Sequence, residues 1–279
     1  MNTDLAPGKL VELAPGVNRL VAPNPGMMTG PGTNTYILGQ KETAVIDPGP
    51  AIDAHIDLIC ELAPGPVKWI LVTHTHPDHS PAVCGLAEKT GAERLGRAAP
   101  DGQHQDKTFV PDRVLENGEI FETPEFELEI IHTPGHASNH LCYFHAQMNW
   151  LFTGDHIING STVVIDPPDG NMSDYIGSLE RLMDKILTRI APGHGEQIDS
   201  PYEVIDWIIK HRLEREAKVV ATLEEYPELT TAALVPHVYA DVHERLHGIA
   251  ERSLLAHLLK LESDERAAQG NDRWSLVRG

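Results

Sequence analysis

The sequence predicts a layered α/β domain over residues 1–200 followed by a helical, winged-helix-like module over residues 201–279, and three observations carry that reading. Short apolar runs end repeatedly in loops bearing histidine or aspartate. Residues 69–72 lead into three histidines and an aspartate, 126–131 into His132 to His140, 150–152 into Asp155, and 188–191 into His194. Stretches of helical periodicity separate several of these runs, and past Pro201 the pattern changes to successive helical segments and a short strand. Strands that deliver polar loops from one end place a site on the rim of a layered fold, where loops vary without disturbing the core.

The elements follow in order. Pro7, Pro15, Pro23 and Pro25 interrupt the opening segment. Gly30-Pro31-Gly32 turns into a strand ending near Leu38; lacking a third glycine and preceding a strand, it is no phosphate-binding fingerprint. A second strand over 43–46 ends at Asp47-Pro48-Gly49, where Asp47 reads as a turn former. Ile52, Ile56, Ile59, Cys60 and Ala63 share one helical face, and Pro64-Gly65-Pro66 stops that helix before the strand 67–72. A helix is expected over 81–90, a solvated irregular loop with His104 over 91–112, and a hairpin pair over 141–145 and 150–152. Residues 174–187 read as an amphipathic helix whose stripe of Tyr175, Leu179, Leu182, Met183 and Ile186 is core. In the C-terminal module, helices over 202–225, 230–239 with Pro236 inside, and 243–266 precede a turn at Gly270-Asn271-Asp272 and a strand over 274–277.

Composition narrows the function classes. A formal charge of -19 over 279 residues opposes nonspecific binding to a polyanion, which gains its affinity from Lys and Arg. Nucleic acid is therefore a disfavoured partner, and a small molecule the expected one. The third C-terminal helix sets Arg245, Arg252, Lys260 and Arg266 against Glu244, Glu251, Glu262, Asp264 and Glu265, unlike a basic duplex-reading helix. That balance assigns the module to packing, to a homodimer contact or to the rim of the site. Neither a signal-peptide core within residues 1–25 nor a membrane span is visible, so a cytoplasmic location is expected. Cys60, Cys84 and Cys142 form no Cys-x-x-Cys pair and read as reduced, mostly packed residues.

The chemistry concentrates in Thr73-His74-Thr75-His76-Pro77-Asp78-His79-Ser80. Imidazole and carboxylate suit a borderline cation such as Zn²⁺, and a tight turn after a strand can aim neighbouring side chains at two different ions. His-x-His-x-Asp-His after a buried strand resembles the signature of the metallo-β-lactamase superfamily, and that resemblance implies an αββα sandwich. It also implies the remaining ligands. His74, His76 and His136 resemble those of a first metal, and Asp78, His79 and His194 those of a second. Asp155 looks like the bridging carboxylate, as in the glyoxalase II and ribonuclease Z type of site. Asp78 and Asp155 are the candidate catalytic carboxylates, and Asp47 resembles a group that braces the metal loops. Where many members carry a glycine pair, this chain has Ser80-Pro81-Ala82. Gly32-Thr33-Asn34-Thr35-Tyr36, His211-Arg212, the run Leu254-x-x-His257-Leu258-x-Lys260-Leu261-Glu262 and the C-terminal module resemble the β-lactamase-like protein 2 group, whose members include single-strand endoribonucleases.

Two Zn²⁺ ions a few ångströms apart, with Fe or Mn as alternatives, would lower the pKa of a shared water and polarise a carbonyl or phosphoryl oxygen. The expected function is hydrolysis by a metal-bridging hydroxide of a small ester, thioester or lactone. A single-strand endoribonuclease and a noncatalytic metal-retaining binding protein are the alternatives. His132, His140 and His156 lie close in sequence to ligands, with supporting and surface roles both open.

Overall fold

Two sheets lie back to back in the computed structural model, which describes residues 3–277, and their central strands are buried at every position. The first sheet contains β1 (Leu10–Ala14), β2 (Val17–Val21), β3 (Asn34–Leu38), β4 (Thr43–Ile46), β5 (Val67–Leu71), β6 (Glu93–Gly96) and β7 (Arg113–Val114) in sequential order. Pairing is antiparallel as far as β4 and parallel from β4 to β7. Parallel neighbours need a crossover, which α1 (Asp53–Leu62) supplies between β4 and β5 and α2 (Ala82–Thr90) between β5 and β6. The second sheet holds β8 (Ile120–Glu122), β9 (Glu127–His132), β10 (Leu141–His145), β11 (Trp150–Gly154) and β12 (Arg189–Pro192) in the order β12-β11-β10-β9-β8, with only β11 and β12 parallel.

Successive strand residues point to opposite faces, and here both faces of the first sheet are covered. Tyr36, Leu38, Ala44, Ile46 and Leu71 meet Leu128, Ile130, Leu141, Tyr143 and Phe152 of the second sheet. Their neighbours Ile37, Val45 and Ile70 pack instead with Ile56 and Ile59 of α1 and Val83 and Leu86 of α2. The ends of β4, β5, β9, β11 and β12 lead directly into Asp47, the octapeptide, the His136 loop, Asp155 and His194. Polar residues thus gather outside the carboxyl ends of strands, where α/β folds place their sites.

Several local expectations differ from the structure. Cys60 is exposed and Ala63 lies beyond the end of α1, so the buried face of that helix is narrower than its periodicity suggests. Cys84 is exposed too, leaving Cys142 as the packed thiol. The segment 91–112 contains β6 and a buried Phe109. The third helix, α3 (Met172–Leu182), starts at Asn171, whose side chain accepts from the Asp174 N–H, and stops before Met183 and Ile186, both exposed.

The chain forms two compact units, the first made of residues up to Thr133, Asn139–Ser161 and Lys185–Pro201, the second of Pro134–Ser138, Thr162–Asp184 and the residues from Tyr202 onward. In the second unit α4 (Pro201–Glu225), α5 (Thr231–Val238) and α6 (His247–Ser263) are followed by the hairpin β13 (Ala267–Gly270) and β14 (Arg273–Leu276). Asn271 and Asp272 both take positive φ, 52° and 60°, the conformation of a two-residue type I′ turn. Val219, Leu223, Leu234, Leu254, Leu258 and Leu261 enclose the fully buried Trp274, whose Nε1 donates to Thr231 Oγ1 at 3.1 Å. No helix among the described residues is long and apolar enough to cross a membrane.

Candidate metal centre

Asp47 is the anchor of the octapeptide. It sits buried at the end of β4 with φ 49°, its carbonyl accepting from Thr35 Oγ1 at 2.8 Å. Its carboxylate accepts from the Thr73 N–H at 2.8 Å, from Thr73 Oγ1 at 2.7 Å and from His79 Nδ1 at 2.8 Å. The expected brace is therefore present, and it fixes both ends of the histidine loop. Asp47→Ala is expected to weaken metal binding at His79 by about 10- to 100-fold, measurable by competition with a chromophoric chelator, because it frees the ring that the carboxylate orients. Unchanged affinity would show that the ring needs no brace.

Asp78, His79, Asp155 and His194 form one group, each offering a ligand atom within 4.8 Å of the others. His79 Nε2 lies 3.4 Å from Asp155 Oδ1 and 3.6 Å from Asp78 Oδ2; His194 Nε2 lies 3.2 Å from each of those oxygens. Both Nε2 atoms are buried and hydrogen-bonded to nothing. The opposite nitrogens are engaged, His79 Nδ1 by Asp47 and His194 Nδ1 by Gly32 O at 3.2 Å. In a neutral imidazole one nitrogen donates and the other presents a lone pair. Two lone pairs facing two carboxylates at these distances repel unless a proton or a cation lies between them. Space is held open there: a Cβ on Gly193 would stand 2.8 Å from Asp155 Oδ1 and 2.9 Å from His79 Cε1.

Electrostatics agree. Burial opposes charge at His79, but Asp78, Asp155 and Asp47 outweigh it and hold the imidazole well above its usual pKa. His194 is likewise pushed up to about 10, with burial overcome by Asp155 and Asp78. Against the same desolvation, His194 and His79 hold Asp155 well below the usual carboxylate range, and Asp78 is lowered by His79 and His194.

His74, His76 and His136 form the other group, with one ring nitrogen from each within 4.8 Å of the others. Thr73 Oγ1 donates to Asp47, so at 3.0 Å from His74 Nδ1 it accepts, which leaves His74 Nε2 as a lone pair 3.0 Å from His76 Nδ1. His136 Nδ1 donates to Val164 O at 2.7 Å, which makes Nε2 the lone-pair nitrogen of that ring. Bonds of this kind select the tautomer that a metal ligand requires.

All seven sequence-predicted residues thus fall into two groups. Of the histidines left open, His140 is buried with its ring stacked 4.9 Å from His74 and its Nδ1 2.9 Å from Thr133 Oγ1. His156 is also buried, 5.8 Å from His140 between ring centroids, whereas His104 is exposed. Sequence reasoning missed Asp106 and Asn139. The Asp106 N–H donates to Thr75 O at 2.6 Å, its carboxylate accepts from Ser80 Oγ at 2.6 Å, and Asn139 Nδ2 donates to Thr75 Oγ1 at 2.8 Å. The 91–112 segment is therefore tied to the octapeptide rather than merely solvated, and Ser80, the departure from the family pattern, supplies a tie that glycine could not. A single aspartate in a polar loop carries no spacing that would have revealed it. Finally, Asn34 Nδ2 and Tyr36 Oη both donate to Pro192 O at 2.8 Å, and the Asn34 N–H donates to Gly193 O at 2.8 Å, fastening the His194 loop to β3.

Known proteins resemble this chain in sequence and in fold. Residues 28–194 match the family model described as "Metallo-beta-lactamase superfamily", and residues 230–274 match "Beta-lactamase associated winged helix domain". A "Beta-lactamase-like protein 2 homolog" of Drosophila melanogaster is 32% identical over 271 residues, covering 91% of this chain and 90% of that protein. A protein of Aspergillus chevalieri named "Atrochrysone carboxyl ACP thioesterase" is 30% identical over 285 residues, covering 95% and 88%. The crystal structure of a beta-lactamase domain protein from Burkholderia ambifaria superposes with a TM-score of 0.82 at 20% identity, over 98% of this chain and 94% of that one, a likeness of fold.

Proposed function

The chain belongs to the metallo-beta-lactamase superfamily and is a hydrolase with a C-terminal winged-helix domain, and from that premise we propose that it is a dinuclear metal enzyme acting on a small thioester, ester or lactone. In this reading His74, His76 and His136 would hold one divalent ion, Asp78, His79 and His194 would hold a second, and Asp155 would be the ligand shared by both. Residues 1–200 form the catalytic domain and 201–279 the winged-helix domain. Zinc fits the nitrogen and oxygen donors, which Fe or Mn also accept. The observation that carries the reading is the convergence of imidazole lone pairs and carboxylates whose partner nitrogens are already committed to Asp47, Gly32 O and Val164 O.

Such a pair of ions supplies, when bound, a water ionised near neutral pH and a Lewis acid for the carbonyl oxygen. The chain's own part is orientation. Asp47 keeps the His79 ring turned, Asp155 balances two imidazoles from the end of β11, and the ties from Asp106 and Asn139 hold the octapeptide in place. Among the three carbonyl classes a thioester is favoured by the name of the Aspergillus chevalieri relative.

Zinc-loaded protein should turn over members of a panel of acyl thioesters, aryl esters and lactones. Turnover should vanish on chelation and return with added zinc. Inactivity on every carbonyl substrate, together with chelator-sensitive cleavage of single-stranded RNA, would replace this reading with phosphodiester hydrolysis.

A further inference from the structure

We propose that Arg212, on α4, is a positioning residue for His136. The inference rests on the reading of His136 as a metal ligand. Residues 162–166 form neither helix nor strand, so no ladder of backbone bonds fixes the Val164 carbonyl that turns the His136 ring. Side chains of the C-terminal helices take that role. Arg212 is buried and donates from Nη2 to Val163 O, the carbonyl one residue before Val164. On the far side of Val164, the Ile165 N–H reaches Ser253 Oγ of α6 at a long 3.5 Å, and Arg252 Nη1 lies 3.3 Å from Asp166 Oδ2.

The same guanidinium also touches the other support of His136. It stands 5.4 Å from the centroid of the Tyr175 ring, and Gly135 lies directly against Tyr175: a Cβ at Gly135, whose φ is 138°, would be 2.3 Å from Tyr175 Cα. The Asn171 N–H donates to Gly135 O at 2.8 Å and Ser178 Oγ to Pro134 O at 2.9 Å, so α3 carries the loop that carries the histidine. Arg212 therefore joins the peptide that aims the ring to the helix that seats its backbone. A buried cation is costly unless its donors are used; Nη2 is spent on Val163 O while Nε is buried without a hydrogen bond, and filling this space would take only an apolar chain. A planar fork of five donors can bond a carbonyl and lie over an aromatic ring in one fixed geometry, which the single ammonium of a lysine does not reproduce. In this role the C-terminal helices support His136 from within the second unit, where α6 buries Leu254, His257 and Leu258.

Metal titration of purified full-length protein, read by mass spectrometry and by competition with a chromophoric chelator, tests the proposal without relying on turnover. Wild type should bind two equivalents and His136→Ala one. Arg212→Met should weaken the equivalent that His136→Ala removes by about 10- to 100-fold while leaving the other within about twofold. Arg212→Lys should weaken the same equivalent to a smaller degree, and this variant decides the matter if Arg212→Met does not fold. Wild-type affinity for both equivalents in the Arg212 variants, or equal loss of both, would overturn the positioning role. Retention of two equivalents by His136→Ala would instead overturn the ligand assignment beneath it.

Discussion

Asp155→Ala is expected to lower kcat/KM on any carbonyl substrate by at least about a thousandfold, roughly 4 kcal/mol of transition-state stabilisation. Its Oδ1 faces His79 Nε2 at 3.4 Å and His194 Nε2 at 3.2 Å, so alanine removes the anion common to both imidazoles. In the proposed centre it also removes the one ligand shared by both ions, and neither position keeps its full donor set. Asp155→Asn separates charge from shape: it preserves the outline at the end of β11 but not the negative charge, and it should be nearly as inactive while folding better. Steady-state rates measured beside metal content on the same samples decide this. A loss below tenfold with both equivalents retained would remove Asp155 from the bridging role.

Stripped of metal, the protein should be most stable in mildly acidic solution and lose stability as the pH rises. His194 has a folded pKa of about 10 against an ordinary 6.5, and His79 is raised in the same direction. A group that binds its proton more tightly when folded contributes stability that is complete below the unfolded pKa and disappears as the pH passes the folded one. Asp155 and Asp78 act oppositely: their depressed values stabilise the fold above the ordinary 3.8 and cease to do so as the pH falls. The metal-free optimum therefore lies between those ordinary values, roughly pH 4 to 6.5. Metal binding must expel the same protons, and at pH 7 displacing one held at about 10 costs ~4 kcal/mol, a cost that shrinks as the pH rises. The gap in unfolding temperature between loaded and chelator-treated protein should widen from pH 6 to pH 9. A gap that narrows over that range would mean the histidine pair does not carry the protons assigned to it.

The octapeptide was legible because four side chains with metal chemistry lie within six residues of one loop, so their spacing survives any detail of the fold. His136, Asp155 and His194 are individually unremarkable and were singled out only by the resemblance of their order, after the octapeptide, to the metallo-β-lactamase pattern. Asp106, Asn139 and Arg212 act through contacts with residues distant in sequence, and no local pattern records such a contact. The fold shows the same division. β1 and β2 were hidden because Pro15 looks like a breaker, yet Pro15-Gly16 is the turn that joins them, with Gly16 at φ 76° as a type II turn requires. β6 has Leu95 as its one large apolar residue and owes its strand character to β5 beside it. At the end of α3, Met183 and Ile186 keep the helical spacing after the helix has stopped, since periodicity reports which face would be buried rather than whether the backbone continues.

His194 follows β12, the edge strand of the second sheet, whose outer side carries the Ile190–Ile198 backbone bridge; an edge is where an open sheet ordinarily frays. Here the exit of that strand is fastened from outside its own sheet, by Asn34 and Tyr36 on Pro192 and by the Asn34 amide on Gly193. In terms of local unfolding, β12 cannot peel away without breaking bonds that belong to the first sheet. In the proposed centre, amide exchange at Asn34 and release of an ion by His194 would therefore be one opening event, its rate set by the joint between the two sheets rather than by the octapeptide loop.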